Sequence, residues 1–235
     1  LAQAIEKRKT IIAHFSATKK IFFKEGLPLK KGELLVQKDL ANTLRLIAKY
    51  GTKGFYQGEV AQKIVRTVSK GGILSQSDLD SYRVNSRKPV VGSYKGYRIV
   101  SMPPPSSGGI HLIQILNILE NTSLASYGHH TAQSIHITTE AMKLAFRDRA
   151  IYLGDPDFVD IPVAKLISKK YARTLYDKIQ RQQVLDLPMN TTFIPKESPS
   201  TTHLSIVDRF GNAVSSTQTI NYSFGSCVVA EGTGV

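Results

Sequence analysis

The sequence predicts an α+β fold in which several helices are followed by a β-hairpin near the end of the chain. Apolar residues recur at helical spacing in several stretches that end at glycine or proline, and two strand-like runs flank a short loop after residue 200. The 235 residues are 41% hydrophobic, which is enough to bury a core. No apolar run approaches the roughly 18 residues that span a bilayer, so no membrane span is expected.

The first predicted helices lie in the amino-terminal hundred residues. Residues from Asp39 to Tyr50 carry apolar side chains at helical spacing and stop before Gly51. A second helix is expected over about Gln57–Ser69, and Ser77–Ser81 is expected to form a short helix or turn. Alternation over Tyr94–Met102 predicts a strand that the following prolines interrupt.

Two longer helices are predicted further along. The segment Met102–Ile110 opens a helix whose polar residues recur every three positions, which is typical of a largely buried helix. The next helix covers about Thr131–Leu153 and ends at Gly154, with Pro156 beyond. Its predicted apolar side consists of Ile135, Thr139, Met142, Phe146 and Leu153.

The charge distribution and the histidines limit the partners that are expected. Of 31 Lys and Arg, 20 lie in the first hundred residues, against 7 Asp and Glu there. These basic residues are scattered and follow no zinc-finger or RNA-binding pattern, so a solvated basic face is preferred to a nucleic-acid partner. His136 and Glu140 share a helix face near His129 and His130, but no further ligand follows at a recognised spacing, so no metal is predicted. The single cysteine, Cys227, permits no internal disulfide.

The last 36 residues indicate a hairpin. Two strand-like runs flank Arg209-Phe210-Gly211, and a three-residue loop with glycine last is a favoured hairpin form because that position needs a positive φ. If Asp208 and Asn212 close the loop, Thr201 lies opposite Thr219, and this rule defines the register to within about one residue.

One face of the second strand is small and polar. By the period of two, that face is expected to carry Ala213, Ser215, Thr217, Thr219 and Asn221. A strand that lines a reaction site has this composition, and so does a solvent-facing strand. Spacing alone leaves both interpretations open.

Three motifs, in this order along the chain, resemble those of the γ-glutamyltransferases, which are amino-terminal nucleophile hydrolases. The first two are Met102–Glu120, with its Pro-Pro-Pro-Ser-Ser-Gly-Gly run, and Tyr152–Phe158. The third is the hairpin signature, which comprises Thr201, Thr202, His203, Ser205, Gly211, Asn212, Val214, Thr217, Thr219, Ile220, Asn221, Phe224 and Gly225.

The resemblance implies an αββα sandwich and a precursor that cleaves itself between Ser200 and Thr201. Residues 1–200 would be the mainly helical C-terminal part of a large subunit, and residues 201–235 the start of a small subunit with which it forms a heterodimer. A threonine hydroxyl can attack the preceding carbonyl, and the freed α-amine, with a pKa of roughly 7.7–8.0, can then serve as the base. No metal or cofactor is required.

The resemblance also implies the reaction and the site residues. Thr201 corresponds to the nucleophile that attacks γ-glutamyl compounds such as glutathione and passes the acyl group to water, an amino acid or a peptide. Thr219 resembles the threonine that hydrogen-bonds this nucleophile, and Asn221 the side chain that contacts the α-amino and α-carboxyl end of the glutamyl group. Thr202 is an alternative nucleophile, but the signature begins one residue earlier.

The family's other substrate-binding parts are expected outside this sequence. The arginine for the α-carboxylate would lie upstream of Leu1, while the α-amine ligands, a serine pair and the Gly-Gly oxyanion donors would lie beyond Val235. The piece alone is therefore not expected to turn over substrate. The family places the protein in the periplasm or outside the cell. Alternative functions are a β-lactam side-chain acylase, a poly-γ-glutamate hydrolase, or a truncated non-catalytic protein with a structural or binding role.

Overall fold

A computed structural model describes residues 1–187 and 201–235, and it mixes helices with short strands, as predicted. The described chain divides into two compact units. One comprises residues 1–84 together with 201–235, and the other comprises residues 85–187. The first unit is therefore assembled from two stretches that are distant in sequence.

The first unit consists of helices with two short antiparallel sheets. Its elements are α1 (Ala2–His14), α2 (Ser16–Phe22), β1 (Phe23–Lys24), β2 (Leu27–Pro28), α3 (Lys38–Tyr50), α4 (Lys53–Tyr56), α5 (Gly58–Val68), α6 (Gln76–Ser81) and, from the end of the chain, β5 (Thr201–Val207) and β6 (Ala213–Thr219). Its core joins both stretches of the chain, because Cys227 packs among Ile5, Ile12 and Leu29.

The second unit packs helices against a two-stranded hairpin. Its elements are β3 (Val90–Tyr94), β4 (Tyr97–Ser101), α7 (Gly108–Leu119), a 3₁₀ turn (Leu124–Tyr127), α8 (Ala132–Tyr152), α9 (Val163–Leu166) and α10 (Lys169–Tyr176). One core cluster lies between α7, α8 and α10, and a second joins β3 to α7 and α9.

The strand predicted over Tyr94–Met102 is confirmed over Tyr97–Ser101, but its predicted start is wrong because Tyr94 belongs to the preceding strand. Tyr94 is the last residue of β3, and it pairs with Tyr97, the first residue of β4, across a two-residue turn. Both turn residues have positive φ, 47° at Lys95 and 85° at Gly96, which suits the twist of a tight hairpin. The alternation therefore belongs to the second strand of a hairpin whose first strand was not predicted.

Helix α7 is largely buried, as its narrow polar stripe predicts, and His111, Gln114 and Asn117 of that stripe are buried too. Gln114 Nε2 donates to Asp148 Oδ2 at 2.6 Å, and Asn117 Nδ2 donates to the carbonyl oxygen of Ile167 at 2.7 Å. Asp148 is also paired with Arg147 at 2.8 Å. These two donated hydrogen bonds connect α7 to α8 and to the residue after α9, whereas Gln114 Oε1, Asn117 Oδ1 and His111 Nε2 are buried without a hydrogen-bond partner in the described part of the chain.

The apolar side predicted for α8 is not the side that packs into the core. Ile135, Met142 and Phe146 are 53%, 43% and 44% exposed. The fully buried residues lie elsewhere around the helix, at Ile137, Ala141, Leu144 and Ala145. Apolar residues occur on both sides of α8, so periodicity alone could not select the buried side. None of the described helices combines the length and apolarity needed to cross a bilayer.

Gly109 lets α7 approach the loop that precedes it, and its replacement should be costly. A Cβ at position 109 would lie 2.1 Å from the Met102 carbonyl oxygen, whereas a Cβ at Gly108 would meet only Ser106 Oγ, at 3.6 Å. We expect Gly109→Ala to lower the free energy of unfolding by about 3 kcal/mol, because backbone atoms must move. Gly108→Ala should be neutral or slightly stabilising. Urea unfolding of the two variants checks this, and equal stability would contradict the close approach.

Candidate active site

The hairpin of β5 and β6 has the register that its loop predicts. Thr201 is paired with Thr219, and the pairing continues without a bulge to Val207 and Ala213. The alternation of an antiparallel pair then places Thr201, His203 and Ser205 on the same face as Thr219. The nucleophile candidate and its predicted partner therefore lie on one face, at the open end of the hairpin.

The loop is closed by Asp208, whose carboxylate organises the backbone. Asp208 Oδ1 accepts hydrogen bonds from the amides of Phe210 at 2.8 Å and Asn212 at 2.9 Å, and Oδ2 accepts one from Asn212 Nδ2 at 2.8 Å. Gly211 takes a φ of 82°, the conformation that favours glycine. Hydrogen bonds, of which the one from the Asn212 side chain has the largest effect, hold the pKa of Asp208 below its ordinary value of 3.8.

The two threonine hydroxyls are in contact. Thr201 Oγ1 donates to Thr219 Oγ1 at 3.1 Å, and the backbone amide of Asn221 donates to the same Thr219 oxygen at 3.0 Å. Thr219 therefore accepts from both neighbours, and its oxygen orients the hydroxyl of Thr201. Thr202 belongs to the opposite face and is paired with Gln218.

Asn221 does not continue the polar face of β6, contrary to the alternation drawn from the sequence. The strand ends at Thr219, and Asn221 adopts a φ of 64°. A left-handed residue breaks the pleat, so the period of two does not extend to position 221. The amide contact to Thr219 instead fixes the Asn221 backbone beside the threonine pair.

A histidine network lies next to the threonine pair and was not predicted. His203 Nδ1 lies 2.7 Å from Thr217 Oγ1, and its Nε2 lies 3.1 Å from Ser205 Oγ and 3.2 Å from Ser215 Oγ. His203 thus links both strands across the polar face. The signal in the sequence was its position two residues after Thr201, which puts the two side chains on one face.

The opposite face of the hairpin is apolar at its centre. Leu204, Ile206 and Val214 are 42%, 58% and 59% exposed there. The hairpin therefore has a polar face that carries the hydroxyls and an apolar face with no cover among the described residues.

The histidines of α8 and the preceding turn have other partners. His136 Nε2 lies 2.7 Å from the Gln180 carbonyl oxygen, and Glu140 is paired with Lys143 at 3.0 Å. His129 and His130 stack on each other with their ring centroids 3.9 Å apart. Within residues 1–187 and 201–235, no group of three or more His, Cys, Asp or Glu residues is placed to hold a metal ion.

The order of the hairpin loop should depend on pH through Asp208. Because the pKa of Asp208 is lowered in the folded state, the ionised carboxylate stabilises the loop at pH values above 3.8, and this contribution is lost as pH falls through the lowered value. We expect the exchange protection of the Asn212 amide to fall on acidification, after correction for intrinsic rates. Asp208→Asn keeps an acceptor but no titrating group, so its protection should not change with pH. Equal behaviour of the two proteins would contradict this role.

The family of this chain is clear from comparison with known proteins. The sequence model of the gamma-glutamyltranspeptidase family matches residues 1–235. The glutathione hydrolase proenzyme of Pseudomonas sp. (strain A14) is 50% identical over 217 residues, which cover 92% of this chain and 38% of that relative. The chain thus spans about two-fifths of the length of this relative.

Solved structures agree with the sequence comparison. The Helicobacter pylori gamma-glutamyltranspeptidase matches with a TM-score of 0.75 and 52% identity, over 78% of this chain and 53% of that one. The cephalosporin acylase of Bacillus halodurans matches with a TM-score of 0.83 and 31% identity, over 100% of this chain and 42% of that one. The match over the whole sequence and the threonine pair at the start of the hairpin lead to one conclusion: the chain belongs to the gamma-glutamyltranspeptidase family.

Proposed function

We propose that the complete protein cleaves itself between Ser200 and Thr201 and then transfers or hydrolyses γ-glutamyl groups, with Thr201 as the nucleophile. The observation that carries the proposal is the hydroxyl contact between Thr201 and Thr219 in a chain of this family. Ser200 lies outside the described residues. Glutathione is the proposed donor substrate, and water, amino acids or peptides are the proposed acceptors.

In the cleavage step, the Thr201 hydroxyl oxygen attacks the carbonyl carbon of Ser200. The acyl group passes from the Thr201 nitrogen to its oxygen, and water hydrolyses the resulting ester to release a new amino terminus. Thr219 is proposed to hold the attacking hydroxyl in one orientation. The 3.1 Å contact supports this role, because an oriented nucleophile reacts faster than a freely rotating one.

In the turnover step, the freed α-amine of Thr201 takes the proton of its own hydroxyl. An ordinary α-amine has a pKa of roughly 7.7–8.0, so its neutral form is available near neutral pH. The hydroxyl oxygen then attacks the γ-carbonyl carbon of the donor, the amine of the leaving group departs with a proton, and a γ-glutamyl ester remains for the acceptor. No metal or cofactor takes part in this scheme.

Asn221 is proposed to contact the α-amino and α-carboxyl end of the glutamyl group. Support comes from the hydrogen bond that the Asn221 backbone amide donates to Thr219 Oγ1, which fixes the Asn221 backbone next to the nucleophile. The proposed division is a large subunit that includes residues 1–200 and a small subunit that begins at Thr201, joined as a heterodimer. The family resemblance supports a periplasmic or extracellular location.

A second candidate function is a β-lactam side-chain acylase. It is favoured by the similarity to a cephalosporin acylase along the whole chain. Both functions use the same nucleophile, so the assay must vary the acyl group. The complete protein should release the amine from a γ-glutamyl anilide faster than from a glutaryl β-lactam, and the reverse preference would favour the acylase. Inactivity on both, and on poly-γ-glutamate, would favour a non-catalytic role.

Thr201→Ala should leave the complete precursor uncleaved and inactive, because the variant lacks the hydroxyl needed for both steps. The wild-type precursor should give two polypeptides, the smaller beginning Thr-Thr-His. Gel electrophoresis and amino-terminal sequencing check this result. A start at Thr202, or an uncleaved chain with full activity, would reject Thr201 as the nucleophile.

Thr219→Val keeps the shape and β-branching of the residue but removes the acceptor for the Thr201 hydroxyl. We expect slow processing and at least about tenfold slower γ-glutamyl transfer, with little change in Tm. Thr202→Val makes the same change on the opposite face of β5 and serves as the matched control. It should process and react like the wild type. Unimpaired processing and transfer in Thr219→Val would show that the hydroxyl contact has no role in the reaction.

A further inference from the structure

The stretch that follows the hairpin, residues 227–235, packs onto helices from the other end of the first unit. We call it the docked segment. Cys227 is 4% exposed within the core formed with α1. Just before the segment, the ring of Phe224 meets that of Phe22 edge to face at a centroid distance of 5.1 Å. Residues from both sides of the proposed cleavage point thus share one core.

Thr18 of α2 binds the start of the docked segment through its hydroxyl. Thr18 Oγ1 donates to the Cys227 carbonyl oxygen at 2.8 Å and accepts from the Val229 amide at 3.0 Å. The side chain is 1% exposed. One buried hydroxyl therefore satisfies two backbone groups of the segment, the buried Cys227 carbonyl and the partly buried Val229 amide.

Thr43 of α3 binds the far end of the segment. Its Oγ1 donates to the Thr233 carbonyl oxygen at 2.7 Å, and Thr43 and Thr233 are 2% and 0% exposed. Gly234, with a φ of 72°, lies so close to α3 that a Cβ there would be 2.5 Å from the Leu40 nitrogen. The segment and the helix are therefore in direct backbone contact beside this hydrogen bond.

The direction of these hydroxyls is informative. A threonine inside a helix commonly turns its hydroxyl back to the carbonyl three or four residues earlier in the same helix. Thr18 and Thr43 instead bond to backbone groups 209 and 190 residues away. Between them they hold both ends of the docked segment.

We propose that Thr18 and Thr43 form a clasp that retains the small subunit on the large subunit after cleavage. This inference rests on the proposed self-cleavage. Before cleavage, the peptide link through residues 188–200 keeps the segment at a high effective concentration next to its site. After cleavage that link is gone, and the contacts of the docked segment must help to hold the two chains together. The clasp therefore matters much more in the cleaved protein than in the precursor.

The test uses the complete precursor with Thr201→Ala, which cannot cleave itself, and a site for a sequence-specific protease introduced within residues 188–200. Thr18→Val, Thr43→Val and the double variant are compared with Thr10→Val, a matched change at an exposed position of α1. The large-subunit part is immobilised, the protein is cut, and release of the small-subunit part is followed in mild urea. Size-exclusion chromatography of the uncut variants checks that the tethered protein is intact.

Before the cut, all variants should elute like the parent. After the cut, we expect the small-subunit part to be released about tenfold faster from Thr18→Val than from the parent. The increase should be somewhat smaller for Thr43→Val, which loses a single hydrogen bond. The double variant should release it up to about a hundredfold faster, since distant sites act nearly additively. Thr10→Val should match the parent. Thr18→Ser and Thr43→Ser keep the hydroxyls and should retain the small subunit.

Three results would overturn the clasp. They are parent-like release from the double variant, fast release from the serine variants, and loss of folding in the uncut valine variants, which would make the threonines a general requirement of the fold. Self-cleavage is measured separately, on the precursor that retains Thr201. If that precursor is not cleaved, the proposed function is wrong. The release measurement on the protease-cut protein is independent of that result and still tests whether Thr18 and Thr43 hold the two parts together.

Discussion

The register of the β5–β6 hairpin is the constraint on which the candidate site depends. Successive residues of a strand point to opposite faces, so a slip of one residue would move Thr201 away from Thr219 and put Thr202 in its place. The Asp208 carboxylate and the left-handed Gly211 prevent that slip by closing a loop of defined length. A surface turn with no chemistry of its own thus determines which threonine faces the polar side of the sheet.

The interactions at this site are individually weak. A neutral hydrogen bond contributes about 0.5–1.5 kcal/mol to stability, and the threonine pair lies on an exposed hairpin where water competes for it. The contact between the two threonines therefore matters more for the orientation of the Thr201 hydroxyl than for stability. Three features act on the same small area: the pairing of the strands, the amide of Asn221 bonded to Thr219, and the cross-strand contacts of His203.

Much of this arrangement could be predicted from the sequence, and the remainder could not for identifiable reasons. Loop chemistry and the period of two are local rules, and they placed Thr201 opposite Thr219 to within about one residue, a pairing that the structure confirms. The same rule wrongly placed Asn221 on the polar face of β6, because its left-handed backbone ends the alternation. The buried side of α8 was mispredicted because apolar residues such as Met142 and Leu144 occur on different sides of the helix, and only tertiary packing selects between them. The contacts of His203 depend on its rotamer, which no pattern in the sequence specifies.

The discontinuity of the first unit has a consequence for synthesis. Residues 85–187 form a unit that is continuous in sequence, whereas the first unit needs both its opening helices and the residues after 201. During synthesis the continuous unit can therefore form before the docked segment, which completes the core of the first unit, has been made. Closing loops of 190 and 209 residues costs entropy and comes late. Until the residues after 201 are made, the core around Ile5 and Ile12 lacks the side chains of Cys227 and Phe224 that complete it.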